Sequence, residues 1–363
     1  MGHDKETLDF IVIGAQKSGT SSLFQYLRHH PEIFVPTVKE AAYFCHDGVF
    51  QTLSWSTYIG QLAYATEARD SADPALRWGT VTPRYMLGTS TGSPAQTNGY
   101  DERTVPRRIH ERLPDVRLIA ILRDPVARAV SNHRMLVGRG RDGRTFDEAV
   151  GELLASEALA RSRRRPVEGS DYIVRGEYGR ILSGYFDVFS REQLLVVFTE
   201  ELEHDPAELL RRIQRFIGVA GDFAPHNLGE RFNVGRAVAG FEWSRPSTWL
   251  SPSSPMGPHG VRRALADSSA ARAVWAMPPA RRRRQLLRPY ERLASRVARW
   301  NRRRAPNGVR ANAAPSAETL ARLREHYAAD GQLLLSLVGE RPPWLGGEAQ
   351  PVPSGREGDA QRG

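Results

Sequence analysis

Unbroken apolar runs alternate with amphipathic segments along the first two thirds of the chain. The apolar runs cover residues 10–13, 118–122 and 194–198, and none shows the polar alternation of a strand with one face in solvent. Apolar residues at helical spacing follow over residues 21–28, 126–136, 146–161, 178–189, 206–217 and 317–338. This order predicts an α/β fold: a doubly wound parallel sheet flanked by helices, with helical C-terminal additions.

Positive charge is concentrated in one segment. The 363 residues carry a net charge of +10, but residues 261–304 hold 14 arginines and two acidic residues, a local charge of +12. Within this segment, residues 287–303 have the pattern of a basic amphipathic helix. Such a helix could present a solvated face, an anionic-acceptor site, or a surface for an anionic membrane or another polyanion. Because the charge is local, it does not predict binding to nucleic acid.

Composition indicates a soluble globular protein with one large domain over residues 1–346 and a disordered tail over residues 347–363. The sequence is 40% hydrophobic and 25% charged, and no apolar run approaches the roughly 20 residues that span a bilayer. The single cysteine, Cys45, excludes an internal disulfide framework and a multi-cysteine metal site. These features predict a cytoplasmic protein.

The stretch IGAQKSGTSSL joins the first predicted strand to the first predicted helix. Gly14 and Gly19 have the spacing of a P-loop, in which free N–H groups and the helix dipole bind phosphate. The fold is therefore predicted to be P-loop-like, but no lysine follows Gly19, and the nearby Lys17 lies inside the loop. Arg123 stands where the acidic residue of a Walker B strand would begin. Both departures disfavour a nucleoside triphosphatase.

The stretches IGAQKSGTSSL and LRDPVARAVSNH together resemble the two nucleotide-binding motifs of sulfotransferases that use 3′-phosphoadenylyl sulfate (PAPS). KEAAYF at residues 39–44 and TPRY at residues 82–85 resemble two further motifs of that family. The similarity covers residues 9–345 and is closest to the branch that contains heparan-sulfate and related glycan sulfotransferases.

The resemblance implies a set of site residues. Lys17 would stabilise the leaving phosphate, Glu40 would be the general base, and no metal would be required. Arg123 and Ser131, which stands eight residues later, would bind the 3′-phosphate. The loop residues that would bind the 5′-phosphosulfate are Gln16, Lys17, Ser18, Gly19, Thr20 and Ser21. His46 and His133 remain alternative bases, because other sulfotransferases use a histidine.

Two departures from the family pattern leave parts of the site open. Val81 stands where glycan enzymes often have a lysine, so Arg84 could supply that cation, and Tyr85 could line the acceptor cleft or simply pack. The segment FNVGR at residues 232–236 matches the family's nucleotide loop imperfectly, so the adenine contacts are not located.

The predicted function is sulfuryl transfer from PAPS to a hydroxyl or amine, on a carbohydrate or glycosylated metabolite. Two alternatives stay open. A P-loop kinase with a displaced lysine would turn over ATP with Mg²⁺, and an inactive relative would bind nucleotide or polyanion without catalysis.

Overall fold

A computed structural model describes residues 7–36, 39–40, 43–64, 76–88, 102–138, 141–164, 169–230, 232 and 313–346. The basic segment 261–304, the predicted helix 287–303 and the predicted tail 347–363 lie outside the described residues. The predicted domain limits, and the membrane or polyanion contact of that helix, therefore stay predictions. Among the described helices, none combines the length and apolar character needed to cross a bilayer.

Five parallel strands form one sheet in the order β2-β3-β1-β4-β5. They are β1 (Phe10–Gly14), β2 (Ile33–Phe34), β3 (Arg77–Val81), β4 (Arg117–Leu122) and β5 (Leu194–Phe198). From β1 the chain crosses to the edge strand β2, returns to β3 between those two strands, and then adds β4 and β5 on the other side of β1. The order reverses between β1 and β4, and open α/β sheets bind ligands beyond the strand ends at such a point.

Eleven α-helices lie within the described residues. They are α1 (Thr20–Arg28), α2 (Asp47–Thr52), α3 (Trp55–Tyr64), α4 (Thr104–Arg112), α5 (Pro125–Gly138), α6 (Phe146–Leu153), α7 (Ser156–Arg164), α8 (Tyr178–Phe186), α9 (Thr199–His204), α10 (Pro206–Ile217) and α11 (Ala317–Val338). Short 3₁₀ turns at Pro83–Leu87 and Val174–Gly176 interrupt the connections.

Apolar side chains cover both faces of the sheet, which confirms the doubly wound fold. Ile11 and Ile13 point to the side that carries α4 and α8, while Phe10 and Val12 point to the side that carries α1 and α10. All four residues are fully buried. Because alternate residues of a strand face opposite sides, a strand covered on both faces needs an unbroken apolar run, as the sequence indicated.

The C-terminal helix, α11, binds both the first turn of α8 and the segment that precedes it. Asp330 of α11 accepts hydrogen bonds from the backbone N–H groups of Gly179 and Arg180, at 2.9 and 2.8 Å. These donors belong to the first turn of α8, where a carboxylate also complements the helix dipole. The Tyr327 hydroxyl donates to the carbonyl oxygen of Ile173 at 2.8 Å. The predicted C-terminal addition is thus part of the folded core.

Two predicted helix boundaries were wrong. The predicted helix 146–161 is two helices, α6 and α7, with a break at residues 154–155. Ala155 and Ser156 are compatible with a helix, so apolar spacing does not reveal this break. The predicted helix 178–189 ends at Phe186, because Val188 and Phe189 continue as a turn bonded to Tyr185.

Gly79 is required by the close packing of the central strands. It pairs with Phe10 in the sheet register, and a Cβ at residue 79 would lie 2.2 Å from the Phe10 ring. We expect Gly79→Ala to lower the free energy of unfolding by about 1–3 kcal/mol, because the fully buried ring has no free volume to move into. Denaturant titration measures this change.

Gly151→Ala is the matched control for that substitution. A Cβ at Gly151, inside α6, would meet no atom within 4 Å. Its free energy of unfolding should stay constant or rise by roughly 1 kcal/mol through helix propensity. Equal effects of the two substitutions would contradict the packing argument.

Candidate active site

The first loop, residues 15–19, connects β1 to α1 at the carboxyl edge of the sheet. Gly19 is the N-cap of α1 and has a φ of 90°, a conformation that favours glycine. No side chain caps α1, and its first turn contains no acidic residue. The N–H groups and the dipole at this helix end therefore form a site suited to an external anion.

Lys17 and Arg123 meet at this loop. Lys17 has a φ of 72°, in the left-handed region that few non-glycine residues adopt. Its carbonyl oxygen accepts a hydrogen bond from Nη1 of Arg123 at 3.4 Å. Arg123 directly follows β4, so the switch point of the sheet brings its guanidinium group to the backbone of Lys17.

Lys39 contacts the first turn of α1, directly after the first loop. Its Nζ donates to the Ser21 hydroxyl oxygen at 2.8 Å and lies 3.4 Å from that of Thr20. Burial lowers the pKa of Lys39, while the nearby charge of Glu40 acts to raise it. A hydroxyl that accepts from an ammonium keeps its own proton, so the Thr20 hydroxyl can still donate to an anion.

Glu40 follows Lys39 and is fixed by its backbone. Its N–H donates to the carbonyl oxygen of Val81, the last residue of β3, at 3.1 Å. Its φ of 68° is again left-handed, and the residue is half-buried. Because Lys39 bonds to α1 and Glu40 bonds to β3, the predicted base lies beside the predicted phosphosulfate loop.

Ser131 lies on the half-exposed side of α5. Ala127, Ser131 and Arg134 are half-exposed on one side of the helix, whereas Arg128 and Val130 are buried. Burial lowers the pKa of Arg134, and the positive charge of Arg123 lowers it further. Two guanidinium groups and a hydroxyl thus share one region, which favours an anion with several acceptor oxygens.

The remaining loop residues differ in accessibility. The Gln16 side-chain oxygen accepts from Nη1 of Arg175, whose Nη2 donates to Asp171. Ser18 is fully buried, and its carbonyl oxygen accepts from the Thr199 hydroxyl at 2.9 Å. A ligand in the loop would therefore meet the backbone of Ser18 and the side chain of Gln16.

Both alternative histidines bond to the backbone through one ring nitrogen. His133 is 2% exposed, its Nε2 bonds to the carbonyl oxygen of Arg144 at 3.0 Å, and it packs against Phe146. His46 caps α2 by accepting from the Val49 N–H at 3.4 Å. Burial lowers the pKa of both rings. These contacts favour structural roles for the two histidines.

Tyr85 is a packing residue rather than a cleft residue. It is 1% exposed, its ring packs on Phe44, and burial raises its pKa. Arg84 is half-exposed. Of the segment 232–236 only Phe232 is described, and its N–H donates to the Ser22 hydroxyl at 3.1 Å.

The donor set of the site fits an anion better than a metal ion. Lysine, arginine, hydroxyl and backbone N–H groups converge here, with Glu40 as the predicted carboxylate. Across the described part of the chain, no group of three or more His, Cys, Asp or Glu is placed to hold a metal. These residues therefore fit a phosphate or sulfate group.

Three residues of this region were not predicted as site residues: Lys39, Arg134 and Arg175. Lys39 is part of the KEAAYF motif, and Arg134 stands one helical turn after Ser131. The local sequence could therefore have indicated both as site residues. No local sequence pattern indicates Arg175, because its contact with Gln16 spans 159 positions of sequence.

Comparison with known proteins identifies related sequences. A family model described as "Sulfotransferase family" matches residues 9–223. Heparan sulfate glucosamine 3-O-sulfotransferase 6 of Mus musculus is 29% identical over 213 residues, which cover 58% of this chain and 52% of that protein. The chain thus spans about half the length of this relative.

Two further similarities are more distant or more partial. The bifunctional heparan sulfate N-deacetylase/N-sulfotransferase of Drosophila melanogaster is 24% identical over 58% of this chain and 19% of that protein. The crystal structure of a sulfotransferase from Alicyclobacillus acidocaldarius has 25% sequence identity and a TM-score of 0.47. That similarity covers 73% of this chain and 98% of the crystallised one.

Proposed function

The chain belongs to the sulfotransferase family, and we propose that it transfers a sulfuryl group from PAPS to a hydroxyl or amine of a carbohydrate or glycosylated metabolite. The observation that carries this proposal is the contact between Arg123 and the backbone of Lys17. It holds one cation inside the first loop and another at the end of the neighbouring strand. A nucleotide with anionic groups at both its 5′ and 3′ positions needs cations at two such places.

We assign the first loop to the 5′-phosphosulfate of PAPS. Backbone N–H groups of the loop and of the first turn of α1 would bind the phosphate, together with the hydroxyls of Thr20 and Ser21. The 3′-phosphate would lie against Arg123 and Ser131, with Arg134 as a second cation. The like charges of Arg123 and Arg134 support this assignment, because an anion between them would relieve their repulsion.

The reaction follows from the roles of Lys17 and Glu40. Glu40 would take the proton of the acceptor hydroxyl or amine as its oxygen or nitrogen bonds to sulfur. Lys17 would stabilise the negative charge that develops on the 5′-phosphate oxygen as its bond to sulfur breaks. Adenosine 3′,5′-bisphosphate leaves with that electron pair. By analogy with phosphoryl transfer, the protein contributes positioning and charge stabilisation, and the residues present require no metal for this.

The acceptor class rests on the two relatives named above. One carries a glucosamine 3-O-sulfotransferase name and the other an N-sulfotransferase name, so the proposal includes both oxygen and nitrogen acceptors. We propose the cytoplasm as the place of reaction. The single cysteine of the sequence supports it, because the chain cannot form an internal disulfide.

Calorimetric titration with adenosine 3′,5′-bisphosphate, followed by transfer of radiolabelled sulfate from PAPS to a panel of glycans and phenols, tests this function. We expect saturable binding and transfer to at least one glycan. A protein that does not bind the bisphosphate would overturn the proposal. Magnesium-dependent ATP turnover would indicate the kinase alternative, and binding without transfer to any acceptor would indicate an inactive relative.

Arg123→Ala should weaken binding of adenosine 3′,5′-bisphosphate about 10–100-fold, because charge-assisted hydrogen bonds to the 3′-phosphate are lost. Binding of adenosine 5′-phosphate, which lacks the 3′-phosphate, should change much less. Comparing the two dissociation constants by calorimetry separates loss of the 3′-phosphate site from a distorted loop.

Arg211→Ala is the control for removal of a cation. Arg211 lies on α10, is exposed, and pairs with Glu208 at 2.8 Å. Its loss should leave both nucleotide affinities unchanged. If Arg123→Ala weakened both nucleotides equally, Arg123 would act by supporting the Lys17 backbone rather than by binding the 3′-phosphate.

A further inference from the structure

The side chain of Gln16 is held by residues far from the first loop in sequence. Arg175 lies in the 3₁₀ turn Val174–Gly176, before α8. Its Nη1 donates to Oε1 of Gln16, and its Nη2 donates to Oδ2 of Asp171. The Arg175 side chain is 12% exposed and that of Asp171 is 1% exposed. The nearly buried ion pair between Arg175 and Asp171 therefore contacts Gln16, the residue that precedes Lys17.

This contact determines which way the Gln16 amide faces. A guanidinium group has only donors, so the side-chain oxygen of Gln16 must face Arg175. The Nε2 group then points away from Arg175, and within the described residues it has no hydrogen-bond acceptor. Gln16 is half-exposed and lies next to Lys17. Its two amide donors therefore belong to a half-exposed residue of the first loop and are not used by Arg175.

The turn that carries Arg175 is anchored on two sides. The Arg175 N–H donates to the Asp171 carbonyl oxygen at 3.0 Å. Fully buried Arg128 of α5 donates through Nη2 to the carbonyl oxygen of Tyr172. Burial raises the pKa of Asp171, whereas the charges of Arg175 and Arg128 act to lower it. Because a buried carboxylate needs charged partners, this arrangement keeps Arg175 in one position.

Tight packing around Gly176 adds to this rigidity. A Cβ at Gly176 would lie 2.9 Å from the hydroxyl of Tyr327 on α11 and 3.0 Å from Pro125, the first residue of α5. The turn is thus held between the helix of the 3′-phosphate residues and the C-terminal helix. A rigid support of this kind is what orients a group for catalysis before substrate binds.

We propose that Asp171 and Arg175 are positioning residues that direct the amide N–H groups of Gln16 toward the transferred sulfuryl group. This inference rests on the proposed function and deepens it. Gln16 is a neutral donor beside the cationic Lys17. The sulfuryl oxygens would accept its hydrogen bonds, while Lys17 serves the leaving phosphate. Arg175 acts only through Gln16 and does not touch the donor.

The pair of ligands that tests this role differs by the sulfuryl group alone. Adenosine 3′,5′-bisphosphate lacks the group that Gln16 would contact, and PAPS carries it. We expect Arg175→Met and Gln16→Ala to weaken PAPS binding about 10-fold relative to the wild type, with little change for the bisphosphate. The kcat of sulfuryl transfer should fall about 10–100-fold in both variants.

A double substitution separates action through Gln16 from a direct contact. In the Gln16→Ala background, Arg175→Met should have no further effect on kcat or on the preference for PAPS over the bisphosphate. Additive losses would show that Arg175 acts independently of Gln16. Asp171→Asn should shift the same preference in the same direction as Arg175→Met, because the amide cannot hold the guanidinium by charge.

Arg163→Met is the matched control for loss of an arginine–carboxylate pair. Arg163 of α7 binds Glu177 at 2.7 Å, and Glu177 keeps Arg180 and His326 as partners. This variant should retain the wild-type preference for PAPS. If the wild type binds the bisphosphate and transfers sulfate, but Arg175→Met changes neither kcat nor that preference, the inference fails and the proposed function stands. If Arg175→Met does not fold, Asp171→Asn, which keeps the arginine and removes its charged partner, provides the comparison.

Discussion

Lys17→Ala is expected to lower the kcat of sulfuryl transfer by about 10³-fold. The reason is local: the first loop holds this lysine in a left-handed conformation, and its backbone is bonded to Arg123. The ammonium group would face charge that develops only as the sulfur–oxygen bond breaks, so its loss affects the transition state more than bound nucleotide. Transfer of radiolabelled sulfate under saturating PAPS measures kcat directly.

Binding measurements distinguish this effect from collapse of the loop. Lys17→Ala should keep measurable affinity for adenosine 3′,5′-bisphosphate, because the loop N–H groups and Arg123 remain. Lys17→Arg keeps a positive charge but a different donor geometry, and should retain more activity than Lys17→Ala. Arg211→Ala should behave as wild type. Wild-type turnover in Lys17→Ala would remove Lys17 from the mechanism and make Lys39 the next cation to test.

Strands that are buried on both faces could be predicted because each is an unbroken apolar run. β1, β4 and β5 were recognised in this way, and β1 differs from its prediction only by including Gly14. β3 was not recognised, since it reads RWGTV and begins with an exposed arginine. Position 79 of this strand holds glycine because the Phe10 ring of β1 occupies the space that a side chain would need. The packing constraint comes from a neighbouring strand, so the local sequence pattern of β3 does not reveal it.

The first loop and Arg123 were predictable for a related reason. Both follow recognisable strands, and parallel strands bring their carboxyl ends to one edge of the sheet. Lys39 and Glu40 lie farther from any strand that was recognised, and their placement depends on the bond from Glu40 to β3. The link from Arg175 to Gln16 depends on where a 3₁₀ turn falls after three helices, so no spacing in the sequence indicates it.

Removal of the carboxylate at residue 40 is the second substitution with a large expected effect. Glu40→Gln should lower kcat by about 10²–10⁴-fold, the usual contribution of a general base, because a neutral amide cannot accept the acceptor's proton. The two side chains have nearly the same size, and both would occupy the same left-handed backbone position. Backbone strain is therefore matched, and the change isolates the carboxylate.

Nucleotide binding should be unaffected by this change, since Lys39, Thr20 and Ser21 retain their contacts. Glu157→Gln, on the exposed first turn of α7, controls for loss of a negative charge and should leave kcat unchanged. Glu40→Asp keeps a base with a shorter reach, and aspartate tolerates left-handed backbone, so its activity should lie between wild type and Glu40→Gln. If Glu40→Gln turned over at the wild-type rate, the base would have to be sought elsewhere. His46, which is half-buried and bonds to the backbone through Nδ1, and His133, which bonds through Nε2, would be the next residues to substitute.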